Sequence, residues 1–207
     1  MVVKSNNEIR QAAQAALAHN WTNIVLTILL AEVISVGVSY TGIGSLLVGL
    51  PISFGLSIMT LLFVRGQKDN LVETLFEKGF KPYGRILVTM LLISVFVMLW
   101  MLLFIVPGII KSYSYKLAPY IAYENTDLSP REAIRLSQKM MAGYKMKFFL
   151  IDLGFFGLIV LSGIGLFIPM LWIMPYMECT YAVFYEEMKA AWAEKNSSAT
   201  GNATVVD

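Results

Sequence analysis

Three long apolar stretches, residues 21–64, 86–123 and 148–185, decide what this chain can fold into. Each runs to roughly forty residues, about twice the ~20 helical residues that cross a hydrocarbon core of ~30 Å. A single straight helix of that length would reach about 57 Å at ~1.5 Å per residue. Each stretch therefore reads as two helices folded back on one another. The breaks sit at the midpoints, Thr41-Gly42-Ile43-Gly44, Pro107-Gly108 and Ser162-Gly163-Ile164-Gly165, all of the Gly/Pro type that interrupts a helix. The expected fold is all-α: a polytopic membrane bundle of six transmembrane helices in three hairpins, near residues 20–39, 43–64, 85–105, 108–124, 147–162 and 166–187. The competing reading has four or five helices, with one stretch re-entrant or strongly tilted, because several of these segments fall short of ~20 residues.

Composition points the same way. The chain is 57% hydrophobic and 14% charged, against roughly 25% charged in soluble domains, so much of its surface is suited to lipid. One transmembrane domain is expected over residues 1–195. The tail NSSATGNATVVD, residues 196–207, is small and polar and is expected to be disordered. The first apolar run follows an amphipathic segment and shows no small-residue cleavage site, so it reads as retained rather than as a signal peptide.

The basic residues sort by side. Lys4 and Arg10 precede the first stretch. Arg65, Lys68, Lys78, Lys81 and Arg85 lie between or beside the first and second, Arg131, Arg135, Lys139, Lys145 and Lys147 between the second and third, and Lys189 and Lys195 follow. None lies in a midpoint turn. By the positive-inside rule the long connectors and both termini are cytoplasmic and the tight turns face outward.

Each hairpin is preceded by an amphipathic segment, near 5–18, 70–78 and 130–142. Apolar stripes recur at helical spacing: Ile9, Ala12, Ala13, Ala16 and Leu17; Leu71, Val72, Leu75 and Phe76; Ala133, Ile134, Ser137, Met140 and Met141. The third opens with Ser129 as N-cap, Pro130 and Glu132, a capping box. The pattern suggests a threefold repeat of about sixty residues, each unit an amphipathic helix, a span, a turn and a span. These helices are expected at the cytoplasmic interface, where neighbouring Lys and Arg could also attract anionic lipids.

The second half carries a family resemblance. The residues are Val106-Pro107-Gly108-Ile109-Ile110-Lys111-Ser112-Tyr113-Ser114-Tyr115, Ala118-Pro119-Tyr120-Ile121, Asp127-Leu128-Ser129 with Glu132-Ala133-Ile134, and Met140-Met141-Ala142-Gly143. Phe149-Leu150-Ile151-Asp152-Leu153, Ile173-Met174-Pro175-Tyr176 and Ala182-Val183-Phe184-Tyr185 follow in order. This series resembles the bacterial integral-membrane family catalogued as domain of unknown function 975. The resemblance implies a multi-pass protein of the bacterial cytoplasmic membrane and brings no activity, substrate or catalytic residue.

Five ionisable residues fall inside the expected spans: Glu32, Lys111, Lys116, Asp152 and Glu178. Each costs about 2.5 to 3.5 kcal/mol at a central position, so each needs a partner or a purpose. Glu32, Lys111, Lys116 and Glu178, with the hydroxyls of Tyr113 and Tyr115, are expected to converge on a polar centre in the outward half of the bundle. Asp152 stands nearer the cytoplasmic end, within reach of Lys145 or Lys147. The plainer reading of such a set is a network of ion pairs that fixes helix packing. The functional reading is a polar pocket for a solute, ion or proton, supported by Pro51, Pro107, Pro119, Pro169 and Pro175 in or beside the even-numbered spans, where a freed carbonyl can line a cavity.

Several functions are disfavoured. There is no phosphate-binding glycine loop and no His-Glu-x-x-His signature, and one histidine, His19, with one cysteine, Cys179, cannot build a Cys/His zinc site. No cofactor, metal, enzymatic activity or nucleic-acid partner is expected. Two readings remain: a structural or partner-binding accessory factor of a membrane or envelope system, and a small transporter or channel using the Glu/Lys centre.

Overall fold

A computed structural model describes residues 3–18, 20–163 and 168–203, with side chains to residue 197. Among these residues the fold is all-helical. The helices are α1 (Asn6–Leu17), α2 (Trp21–Ser39), α3 (Leu50–Val64), α4 (Leu71–Phe80), α5 (Tyr83–Leu103), α6 (Ile105–Tyr115), α7 (Ala118–Glu124), α8 (Pro130–Met140), α9 (Lys145–Ser162) and α10 (Met170–Ala203). A π-helical turn, Ser45–Gly49, leads into α3.

Among the described residues three segments are long and apolar enough to cross a membrane: Trp21–Ser39, Ser45–Val64 and Tyr83–Leu103. The remaining expected spans are shorter or more polar. Lys145, Lys147 and Asp152 lie in α9, and Glu178, Glu186 and Glu187 in α10.

The threefold repeat organises the packing. Each unit has an amphipathic helix, an outer helix and an inner one: α1, α2 and α3; α4, α5 and α6–α7; α8, α9 and α10. Each amphipathic helix docks on the inner helix of the preceding unit. Thus α4 packs on α3, α8 on α7, and α1 closes the ring on α10. The outer helices follow the same rotation, with α5 against α3, α9 against α6 and α2 against α10.

This cyclic exchange covers the amphipathic stripes with protein. Ile9, Ala13 and Leu17 of α1 are completely buried, as are Leu75 of α4 and Ala133 of α8. Most of each apolar face is thus covered by the neighbouring unit, while Val72 of the α4 stripe stays exposed. Between α3 and α4 the approach is backbone to backbone. A Cβ on Gly55 would stand 2.9 Å from the Cα of Gly79, and one on Gly79 would stand 2.7 Å from the carbonyl oxygen of Pro51.

The unit starts share a cap. Ser5 accepts from the Glu8 amide at 3.3 Å while Glu8 accepts from the Ser5 amide at 2.6 Å, and Ser129 and Glu132 repeat the exchange at 3.3 and 2.8 Å. At the middle unit Asn70 takes the left-handed conformation and makes no side-chain cap.

The structure departs from the expected segments in three places. The second hairpin turns at Phe104, in extended conformation, and Pro107 and Gly108 lie inside the first turns of α6. Proline is favourable there because the first helical N–H groups have no partner to lose, and Gly108 lets α6 press on Met101, whose Cα would be 2.8 Å from an added Cβ. The segment expected at 108–124 is not one helix, since Lys116 and Leu117 separate α6 from α7. Pro119 has no N–H for the Tyr115 carbonyl, which breaks the ladder there. Finally, α10 continues to Ala203, so the backbone is helical over 196–203 of the expected disordered tail. Extending a formed helix needs no new nucleus. Residues 204–207, the centre of the third turn at 164–167, and His19 lie outside the described residues.

Turns and helix starts also meet. The Tyr83 hydroxyl at the head of α5 donates to the Leu47 carbonyl at 2.8 Å. Val106, Ile109 and Tyr113 of α6 share a cavity of about 220 Å³ with Lys145, Met146 and Phe149 at the head of α9.

Candidate functional site: a polar cavity among the inner helices

The cavity that matters lies where six helices meet: α2, α3, α5, α6, α7 and α10. Glu32 comes from α2, Ser53 and Ser57 from α3, Met90, Ile93 and Val97 from α5, and Ser112 and Tyr115 from α6. Lys116 and Pro119 come from the α6–α7 break, with Tyr120 beside them and Glu178 and Tyr181 from α10, around a volume of about 350 Å³. Two carboxylates, one ammonium and several hydroxyls thus line a space floored by apolar side chains. The break at Pro119 is what turns Lys116 toward this space instead of continuing a straight helix past it.

Lys116 is held by aromatic faces. Its Nζ stands 4.3 Å from the ring centroid of Tyr181 and 5.9 Å from that of Phe148. Among the described residues it makes no ion pair within 4.0 Å. The Tyr181 hydroxyl donates in turn to Asp152 Oδ1 at 2.6 Å, and Tyr113 faces the same carboxylate. A ring quadrupole attracts a cation without pairing its charge, so no carboxylate occupies the Lys116 Nζ and it remains open to the cavity.

Of the residues expected at the polar centre, Glu32, Lys116, Glu178 and Tyr115 come together in this cavity. Asp152 and Tyr113 form a second group that reaches it through Tyr181; Asp152 takes a tyrosine rather than Lys145 or Lys147. Lys111 stands apart, its Nζ 4.8 Å from the centroid of the Trp100 ring across the α5–α6 hairpin. Tyr120, Ser112, Ser53 and Ser57 join the site without having been expected there; for the two α3 serines the signal in the sequence is the four-residue spacing of small polar side chains. Among the described residues no group of three His, Cys, Asp or Glu side chains stands where it could hold a metal ion.

The ion pairs that fix packing are elsewhere, where the ends of α3 and α7 meet the middle of α10. Arg65, just beyond α3, pairs with Glu124 at the end of α7 and with Glu186 of α10, the latter at 2.6 Å. Lys189 reaches Glu124 at 2.8 Å, and the Tyr185 hydroxyl donates to it at 2.5 Å. Burial alone would lower the Arg65 pKa, but its hydrogen bonds to both carboxylates carry it above the ordinary value. Charges from all three units therefore meet at one end of the ring. Arg85 closes the end of α7, donating to the carbonyls of Ala122, Asn125 and Thr126. Arg10 donates to the Ile151 carbonyl at 3.0 Å in the space that Gly154 leaves open.

The fold is therefore that of an all-helical protein with helices able to cross a membrane and a charged cavity between them. Residues 102–192 match the model of the family described as Protein of unknown function (DUF975). That stretch takes in α6 to α9 and the charged half of α10, and it holds Lys116, Asp152 and Glu178. No curated protein and no solved structure matches the chain.

Proposed function

We propose that this is a multi-pass, non-enzymatic protein of the bacterial cytoplasmic membrane, with both termini in the cytoplasm, that binds a small cationic or zwitterionic solute in the cavity and serves as a small transporter. The observation that carries this reading is that Lys116, Glu32 and Glu178 line one open space without pairing. Charges kept only to fix packing would be in contact, as Arg65 and Glu124 are. Two carboxyl groups and one lysine face the cavity, a set of acceptors that suits an ammonium or guanidinium group. Lys116 would then receive the carboxylate of a zwitterion, and the apolar floor of Met90, Ile93 and Val97 a short aliphatic body.

The test uses purified protein in proteoliposomes and a panel of small amines and amino acids, read by thermal shift and by uptake. Glu178→Gln and Lys116→Met should each abolish ligand-dependent stabilisation while leaving the ligand-free melting temperature within a few degrees. If Lys116→Met combined with Glu178→Leu keeps every ligand response of the parent, the charges serve packing alone.

A second reading, an accessory factor that docks on another membrane protein, draws support from the α5–α6 tip. Leu102 there is 82% exposed, and Leu103, Phe104, Ile105 and Val106 are exposed beside it. Cross-linking from a photoreactive residue at Leu102 in native membranes separates the readings: a discrete protein adduct favours the accessory role, and lipid adducts favour the transporter.

A further inference from the structure

The repeat builds a second, smaller cavity of opposite charge. It lies where the end of α4, the start of α5 and the end of α7 meet the side of α3, and has a volume of about 130 Å³. Lys78, Lys81 and Arg85 line it, with the Thr126 side chain, and no acidic residue does. Lys78 pairs with Glu77 at 3.1 Å, and Glu77 is not among the residues that line this space. The Arg85 guanidinium is fixed by the carbonyls that end α7, while its Nε is buried with no hydrogen-bond partner.

Three basic residues around one space, with no acid among those that line it, call for an acceptor with more than one oxygen. A volume of about 130 Å³ has room for a tetrahedral oxyanion. Beyond the rim, Tyr83 and Val88 of α5 present exposed apolar surface, where an acyl chain can lie. Basic pockets between helices at a membrane surface take phosphate headgroups by this chemistry.

We infer that the Lys78–Lys81–Arg85 cavity binds a phosphate group, supplied by an anionic phospholipid. The site is separate from the Glu32–Lys116–Glu178 cavity and stands whether or not that one carries a solute. It also gives the α4–α5 corner a function: the phosphate would lock the docking of one repeat unit on the next.

The experiment is native mass spectrometry of the full chain released from mixed micelles of phosphatidylglycerol and phosphatidylcholine. The parent should retain phosphatidylglycerol over phosphatidylcholine by roughly tenfold, the scale expected when two lysines face an anionic headgroup. Lys78→Gln with Lys81→Gln, and separately Lys81→Glu, should erase that preference. Arg131→Gln, an exposed basic residue outside the cavity, should leave it unchanged. Arg85 stays intact in all variants because it also ends α7, and far-ultraviolet circular dichroism checks that each remains helical. Displacement of the lipid by millimolar inorganic phosphate would support the phosphate site and assign it to the free ion. A parent with no preference for phosphatidylglycerol and no stabilisation by phosphate would overturn the inference, as would a Lys81→Glu variant that retains the lipid like the parent.

Discussion

Lys116 stands over the ring of Tyr181, 4.3 Å from its centroid, and the hydroxyl of that same tyrosine donates to Asp152. One side chain thus positions the cavity's cation with its face and satisfies a half-buried carboxylate with its edge. Tyr181→Phe keeps the face and removes the donor. It should destabilise the protein by about 1–3 kcal/mol, the cost of leaving a buried polar group short of a partner, yet retain ligand binding. Tyr181→Leu should lose both. Melting curves with and without ligand distinguish the two.

Glycines divide into those that carry packing and those that do not. Gly55→Ala places a methyl group against the α4 backbone near Gly79, where nothing can rotate away. It should cost about 1–3 kcal/mol or more, as overpacking does, and expose α4 to protease. Gly157, exposed within α9, has nothing within 4 Å of an added Cβ. Gly157→Ala should be neutral or stabilise by up to about 1 kcal/mol, since alanine favours a helix interior. Fluorescence-detected melting of the two variants in one detergent is the check.

Much of the fold follows from periodicity. The three amphipathic segments, expected at 5–18, 70–78 and 130–142, occupy Asn6–Leu17, Leu71–Phe80 and Pro130–Met140. Periodicity says which face of a helix is apolar, but not what covers it, so the docking of each unit on the one before was illegible. The Ser5-x-x-Glu8 box is as legible in the sequence as its twin at Ser129. At the site, Glu32, Lys116 and Glu178 could be singled out because charge inside an apolar run is costly. Lys111 shares that signal, but it sits about two turns from the Phe104 bend and finds Trp100 instead. Arg65 and Glu124 lie at helix ends, where charge is unremarkable, so their pairing left no mark in the sequence.

The two capping boxes set a pH dependence. Hydrogen bonds from the Ser5 side chain and backbone hold the Glu8 carboxyl below its ordinary pKa, and those from Ser129 do the same for Glu132. A folded pKa below the unfolded one gives stabilisation that is complete above the unfolded value and is lost as pH falls through the folded value. Between about pH 6 and about pH 3 the first turns of α1 and α8 should therefore fray. Hydrogen exchange at residues 6–9 and 130–133, corrected for intrinsic rates, should rise on acidification. In Glu8→Gln and Glu132→Gln, whose side chains accept without titrating, that rise should vanish.

The cavity shared by Val106 and Lys145 bears on how the second hairpin meets the bilayer. If 108 faced outward and 145 the cytoplasm, a hydrocarbon core of ~30 Å would separate them. Yet α6 and the head of α9 are in contact, with the rings of Tyr113 and Phe149 6.1 Å apart. The hairpin formed by α5 and α6 should therefore be strongly tilted or re-entrant, its apolar tip in lipid and not in water. Cysteines at Val106 and Met146, in a Cys179→Ser background, should be joined by a short bifunctional thiol reagent in intact membranes, and a cysteine at Phe104 should resist an impermeant maleimide added outside cells. Efficient external labelling at Phe104 without any Val106–Met146 cross-link would instead mean that the hairpin spans the bilayer upright, and that the contact between α6 and α9 does not exist in the membrane.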